Sequence, residues 1–470
     1  MKARVYDFSR VDGSKHVIDL LTMPTGISWM LNLNPIQRFH RDLLDLLRAV
    51  QIADRYTPRP TVNGHRETSA RIIEVILPVR DLARWTRPDV HASLVRALHF
   101  LTQDTWVLRF VPRTLLNEDT PMSRLDLGSV QGPRSFGLFS GGLDSVAGTA
   151  LLLHGQPTYT HVAVSATGSN LTELHDTTVE SIERDVKQSG PGRPYPLAGV
   201  RYHTPVMSNL IMQHFGDQRP REEYTQRSRG FVFLGLGAAI AHQDGQSSLY
   251  VFEHGVGAIN LGYNAAVLGV DMTRAMHPYA VALMAQFLSL FFDSPFNIQN
   301  PHWFQSKGQV LNDLKRLGSA DLVVKSRSCD AHRNRNQPPE VSPEVPHCGS
   351  CSSCILRRLA TSYAGVPDTR YGTDPVAVLR SRATPPRRAL NTYVLMRKQY
   401  ETLSRALRSR SAEQRFLALL TDFPELRLAY DGFRMLGFSP ERTEAGIVDM
   451  YASYVHEWDM AQNKRGGTRA

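Results

Sequence analysis

SFGLFSGGLDSVAGTALLLHG, residues 135–155, decides the reading of this 470-residue chain. An apolar run from Phe136 to Phe139 gives way to Ser140-Gly141-Gly142-Leu143-Asp144-Ser145, and then to apolar residues at helical spacing. That order predicts a strand, a tight turn and a helix. Two successive glycines let the backbone turn sharply and approach an anion with no Cβ in the way. The N–H groups that open the helix converge where the helix dipole favours negative charge. Ser140 and Ser145 add hydroxyl donors, and Asp144 is suited to help hold a magnesium ion that bridges phosphate oxygens. The GxxxxGK[ST] pattern is absent, so this is a different kind of phosphate loop.

Around this stretch, residues 131–368 alternate apolar strand candidates with helix candidates. The strands are expected at 135–140, 160–166, 200–206, 248–255, 296–301 and 321–326. Helices are expected at 142–155, 171–188, 228–245 and 278–292. This alternation predicts an α/β core with a Rossmann-like parallel sheet, helices on both faces and ligands beyond the carboxyl ends of the strands. Glu253 and His254 fall at such an end, where they would bind a ligand or take a proton; a turn contact to backbone is the plainer reading of Glu253. Gly235 and Gly237 lie inside a predicted helix, so close helix–sheet packing explains them better than a dinucleotide fingerprint.

Cys348, Cys351 and Cys354 crowd into seven residues, and Cys329 lies upstream across 18 intervening residues. Four thiolates make a closed tetrahedral zinc site, structural because it keeps no open position. An iron–sulfur cluster and free thiols are the weaker alternatives. His332 and His347 are nearby rivals as ligands; with four cysteines to hand they are read as loop residues.

The flanks carry no motif of this kind. Residues 1–130 read as an α+β block, with a helix over 34–56, strands at 70–79 and 105–112, and a helix at 90–101. Residues 369–470 read as a helical extension, with helices over 389–418 and 438–463 and a disordered tail. The chain has 54 Lys+Arg against 44 Asp+Glu, a net charge of +10, and much of the excess lies in 380–415. That stretch would meet nucleic acid or an acidic protein, or would form a solvated helix face. No run of 18 apolar residues occurs, and the N-terminus lacks the apolar core of a secretory signal. A cytoplasmic protein with no membrane contact is expected.

SGGLDS is similar to the loop of the PP-loop ATP pyrophosphatases, which share an adenine-nucleotide α-hydrolase-like fold. Paired with Ser328-Cys329 and Cys348-Gly349-Ser350-Cys351-Ser352-Ser353-Cys354-Ile355-Leu356-Arg357, it resembles the QueC family of 7-cyano-7-deazaguanine synthases. Arg229-Gly230-Phe231-Val232-Phe233-Leu234 resembles that family's RNxxFL segment. The resemblance covers about half the chain. It implies a C–N bond-forming ligase that uses ATP and Mg2+ to adenylate 7-carboxy-7-deazaguanine, releasing pyrophosphate and AMP. Ser140, Gly141, Gly142, Leu143, Asp144 and Ser145 would hold the nucleotide. Ser165, with Thr167, Gly168 and Asn170, would lie over the adenosine or form an ordinary turn. Arg229, Glu253, His254 and Asn260 would contact the base, and Asp144, Ser145, Arg229 and Glu253 would be catalytic. A surface salt bridge for Arg229 and loop amides for Asn260 are the plainer alternatives.

The chain departs from that family in Gly230 where the family has asparagine, in the longer Cys329–Cys348 spacing, in the loop 253–261 and in both flanking blocks. These features look more like the QueC-like proteins of bacterial anti-phage systems, such as QatC of the Qat system. That resemblance implies a partner protein from the same defence system, whose N-terminal amine is the acceptor. The rivals are a synthase that uses ammonia, another PP-loop ligase or thiolase, and a zinc-containing nucleic-acid scaffold without turnover.

Overall fold

The computed structural model describes residues 3–9, 16–21, 37–59, 61–62, 65–66, 70–114, 132–156, 158–166, 172–189, 197–202, 208–216, 222–223, 225, 227–262, 274–330, 341–342, 344–381, 390–408 and 411–463. Thr167, Gly168, Asn170, His332, Arg382, Arg387, Arg388, Arg410 and the tail lie outside them.

The first block holds strands β1 (Arg4–Asp7), β2 (Ile72–Val79) and β3 (Thr105–Pro112), and helices α1 (Arg38–Arg55) and α2 (Pro88–Thr102). Its strands pair in the order β1-β2-β3, and all are parallel. The expected α+β block is therefore a small parallel α/β layer. Helix α2 lies between β2 and β3 in sequence, the crossover that a parallel pair requires.

The central sheet contains β4 (Arg134–Leu138), β5 (Thr160–Ala166), β6 (Leu197–Tyr202), β7 (Ser248–Tyr250) and β8 (Asn297–Gln299). Its order is β8-β7-β4-β5-β6, parallel throughout. The helices between are α3 (Leu143–Gly155), α4 (Thr172–Ser189), α5 (Arg229–Gln243), α6 (Gly255–Ile259), α7 (Pro278–Phe292) and α8 (Lys307–Arg316). The chain steps from β4 to β5 and β6 on one side, then returns to place β7 and β8 on the other. The switch point is the crevice between β4 and β7, where ligands of open α/β sheets bind.

Helix α5 is apolar on nearly all faces because it is covered on both sides. A Cβ at Gly237 would meet Leu138 and Leu249 of the sheet at 2.8 Å, whereas one at Gly235 would meet Leu47 of α1 at 2.5 Å. One glycine thus serves sheet packing and the other serves the first block. Apolar contact continues from β1 and α1 through α5 and α7 into the C-terminal helices, as one core.

The segment 321–326, expected as a strand, is a 3-10 helix over Ala320–Lys325. Leu322 and Val323 are buried against other apolar side chains, as a strand's would be. The carbonyl of Val323, however, accepts from the Arg357 guanidinium at 2.7 Å instead of a neighbouring strand. Arg357 sits in α9 (Ser352–Ala364) and is fully buried. The C-terminal block forms α10 (Leu390–Ala406), α11 (Ala412–Asp422), α12 (Leu426–Met435) and α13 (Pro440–Asn463). The single helix expected over 389–418 is two, since Ser411 caps a fresh start by accepting from Gln414 N–H at 3.1 Å. No helix among the described residues is long and apolar enough to cross a membrane.

Candidate functional site

The loop after β4 turns at Gly141, whose φ of +70° suits glycine. Ser145 Oγ donates back to Gly142 O at 2.9 Å, and Ser140 Oγ accepts from Gly142 N–H at 3.2 Å. Two further bonds come from the segment that leads into the cysteines. Arg327 N–H donates to Gly141 O at 3.0 Å, and Leu143 N–H donates to Ser328 Oγ at 3.3 Å. Two N–H groups expected to face an anion therefore rest on hydroxyls, in long neutral hydrogen bonds weaker than those to a charged oxygen.

Beside the loop, Asp144 Oδ2 accepts from Lys307 Nζ at 2.6 Å. Burial pushes the Asp144 carboxyl up, but the Lys307 ammonium pulls harder and holds it below the usual range. Lys307 was not singled out from sequence. The available signal was its place at the first position of α8, after the Ser306 cap. A cation opposes the helix dipole there, so some anion has to compensate it.

Glu253 lies three residues beyond the end of β7, and its backbone is pinned by Asn300, whose Nδ2 donates to Glu253 O at 2.7 Å. Asp144, Glu253 and His254 place ligand atoms within 4.8 Å of one another. His254 Nδ1 accepts from Gly257 N–H at 3.2 Å, capping α6, which leaves the imidazole proton on Nε2. Burial, then Lys307, lowers the His254 pKa to about 3, so the ring is neutral and a poor base at neutral pH. The two carboxylates suit a hard cation such as magnesium, which favours oxygen ligands and keeps positions for phosphate.

A cavity of about 160 Å³ opens at the switch point, lined by Ser140, Ser145, Ser165, Arg229 and Glu253 over an apolar floor that includes Phe233 and Phe252. At about 30 Å³ per water, it has room for roughly five water molecules. Five residues singled out from sequence, drawn from four separate segments, thus meet in one place. His254 and Asn260 do not line it. Asn260 ends α6 in the left-handed conformation, at φ +49°. A larger cavity of about 670 Å³ lies by β8 and α7, but no Asp, Glu, His, Lys, Arg or Cys lines it. Of these two cavities, only the smaller is lined by acidic and basic side chains.

Arg229 opens α5 with its guanidinium 5.2 Å from the Phe233 ring centre. The helix start is fixed from the first block, because Asp54 of α1 accepts from Ser228 N–H at 2.9 Å and Ser228 Oγ at 2.7 Å. A Cβ at Gly230 would lie 2.7 Å from Ala275 Cα, so an asparagine has no room there.

The four cysteines converge, with their sulfurs within 4.8 Å of one another and Cys348 Sγ 3.9 Å from Cys354 Sγ. Tetrahedral Zn–S bonds of about 2.3 Å put sulfurs about 3.8 Å apart, so the group fits zinc. Both His347 nitrogens are engaged, Nδ1 with Thr369 Oγ1 at 2.7 Å and Nε2 with Ser328 N–H at 3.2 Å. That agrees with reading His347 as a loop residue. In the basic stretch, Arg397 pairs with Glu401 and Arg405 with Asp422.

The chain is similar to a 7-cyano-7-deazaguanine synthase. That protein, from Chromobacterium violaceum, is 28% identical over 140 residues, 30% of this chain and 50% of its own length. The chain thus spans about half the length of the curated relative it matches. No protein-family model matches.

Proposed function

We propose that this chain is a QueC-like, ATP-dependent enzyme that adenylates the carboxylate of a 7-deazaguanine base and joins it to an amine. The observation that carries this is the cavity at the switch point, where Ser140, Ser145, Ser165, Arg229 and Glu253 meet beside the Asp144–Lys307 pair. The similarity to a 7-cyano-7-deazaguanine synthase supports the substrate class.

In this reading the loop N–H groups exchange the Ser140 and Ser328 hydroxyls for pyrophosphate oxygens. Lys307 and Arg229 face the phosphates and the carboxylate, and Asp144 with Glu253 would hold magnesium, which supplies charge neutralisation at the phosphates. A carboxylate oxygen attacks the α-phosphorus and pyrophosphate leaves. The amine then attacks the acyl carbon, and AMP departs with the C–O bond electrons. Orientation and fixed charge do most of this work. Glu253, which lines the cavity, is the candidate to take the proton from the amine, since the lowered pKa of His254 makes its imidazole a poor base.

The acceptor is the N-terminal amine of a partner protein in an anti-phage system. The departures at Gly230 and in loop 253–261, and the two flanking blocks, favour this over ammonia. The deciding assay follows pyrophosphate release with ATP, magnesium and 7-carboxy-7-deazaguanine, for wild type and Asp144→Ala. Release that needs the base and is lost in the variant supports the reading; no release with ammonia or partner present removes the deazaguanine substrate. A mass increase on the partner identifies the protein acceptor, and its absence alongside nitrile formation returns the chain to a free-base synthase.

A further inference from the structure

The C-terminal helix α13 sends one carboxylate into the same neighbourhood. Glu457 is 1% exposed, and it accepts from Gly308 N–H at 2.9 Å. Gly308 is the second residue of α8, next to Lys307, whose Nζ reaches Asp144 at 2.6 Å. The first turn of α8 is thus held from two sides: Ser306 and Gln309 satisfy each other, and Glu457 takes the N–H of Gly308. A carboxylate there also offsets the misfit of a lysine at a helix N-terminus. Burial raises the Glu457 carboxyl to about 7, against the pull of Ser306, Gly308 N–H and Lys307, so the contact is kept despite an electrostatic cost.

We propose that Glu457 is a positioning residue, pinning the first turn of α8 so that Lys307 reaches Asp144, which makes the C-terminal helix part of the active site. This rests on the nucleotide reading of the 140–145 loop for its catalytic consequence, though not for its geometry.

Two readouts separate the parts. The first is the acetylation rate of Lys307 by an N-hydroxysuccinimide ester without substrate, followed by peptide mass spectrometry. The second is kcat and KM for ATP in pyrophosphate release. Glu457→Ala is expected to speed acetylation of Lys307 by about tenfold, the order of effect of one lost hydrogen bond, and to raise KM for ATP. Glu457→Gln, which keeps an acceptor for Gly308 N–H, is expected to restore both. Unchanged acetylation in a folded alanine variant, or a glutamine variant no better than alanine, overturns the proposal. Should alanine fail to fold, Glu457→Asp decides, because it draws the carboxylate back by one carbon: faster acetylation supports the proposal and a wild-type rate overturns it. Faster acetylation in a protein that never releases pyrophosphate supports the positioning and overturns the nucleotide reading.

Discussion

Lys307 and Asp144 stand 163 positions apart in sequence and 2.6 Å apart in space. Such a partner is invisible to a motif, which reads neighbours along the chain. The turn over Ser140 to Ser145 was legible because a glycine turn between a strand and a helix is a local feature. Lys307→Ala is expected to lower pyrophosphate release by about a hundredfold, the cost of one lost charge-stabilising donor, while leaving the melting temperature near wild type. A deep fall in melting temperature with normal turnover would assign the lysine to folding instead. Gly230 gives the opposite kind of test. Gly230→Ala would press a methyl on Ala275 Cα, and overpacking of this sort costs about 1–3 kcal/mol in a denaturant titration. Arg229 and Glu253 were found from strand ends and a resembling segment. Asn260 shared the loop but does not line the cavity, since it lies at the far end of α6 from Glu253.

At the scale of elements, the parallel sheet and its main helices were legible from alternating apolar runs. The exception, residues 320–325, fails for a physical reason: Leu322 and Val323 look like a strand, but the Val323 carbonyl is bound by Arg357. Arg357 also donates to Ser326 Oγ at 2.8 Å and Asp368 Oδ1 at 2.9 Å. It thereby ties the approach to Cys329 onto the helix that follows Cys351. The two residues before Cys329 are those that hydrogen-bond the 140–145 loop. If the four cysteines hold zinc, stripping it with a strong chelator, or Cys354→Ser, is therefore expected to speed hydrogen exchange at the amides of 141–146 more than at β5. Equal change at both would mean that the thiolates brace the whole protein and not the loop.

At the scale of the whole molecule, five of the buried histidines among the described residues bear most on behaviour in acid. His40, His161, His254, His277 and His347 each have a pKa lowered from 6.5 to about 3, mainly by burial. Between those two values the unfolded chain binds protons that the native one refuses, so stability falls as pH drops from about 6.5 toward 3. Glu457, raised from 4.5 to about 7, acts oppositely: the native state holds its proton longer, and that contribution fades as pH rises through this range. Five groups outweigh one, and thermal melts between pH 7 and pH 4 should show a steep loss; a flat profile would mean that these rings are hydrated. The continuous core makes a second prediction. A protein cut to residues 131–368 leaves α5 and α7 bare where α1 and the C-terminal helices covered them, and is expected to aggregate. Soluble, cooperatively melting protein would contradict this. Leu47 and Gly235 fit as knob and hole although they stand on either side of the loop. Descent must treat them as one locus. Recombination between diverged copies of this gene that separates the first 130 residues from the rest is expected to succeed only when both parents carry the same fit.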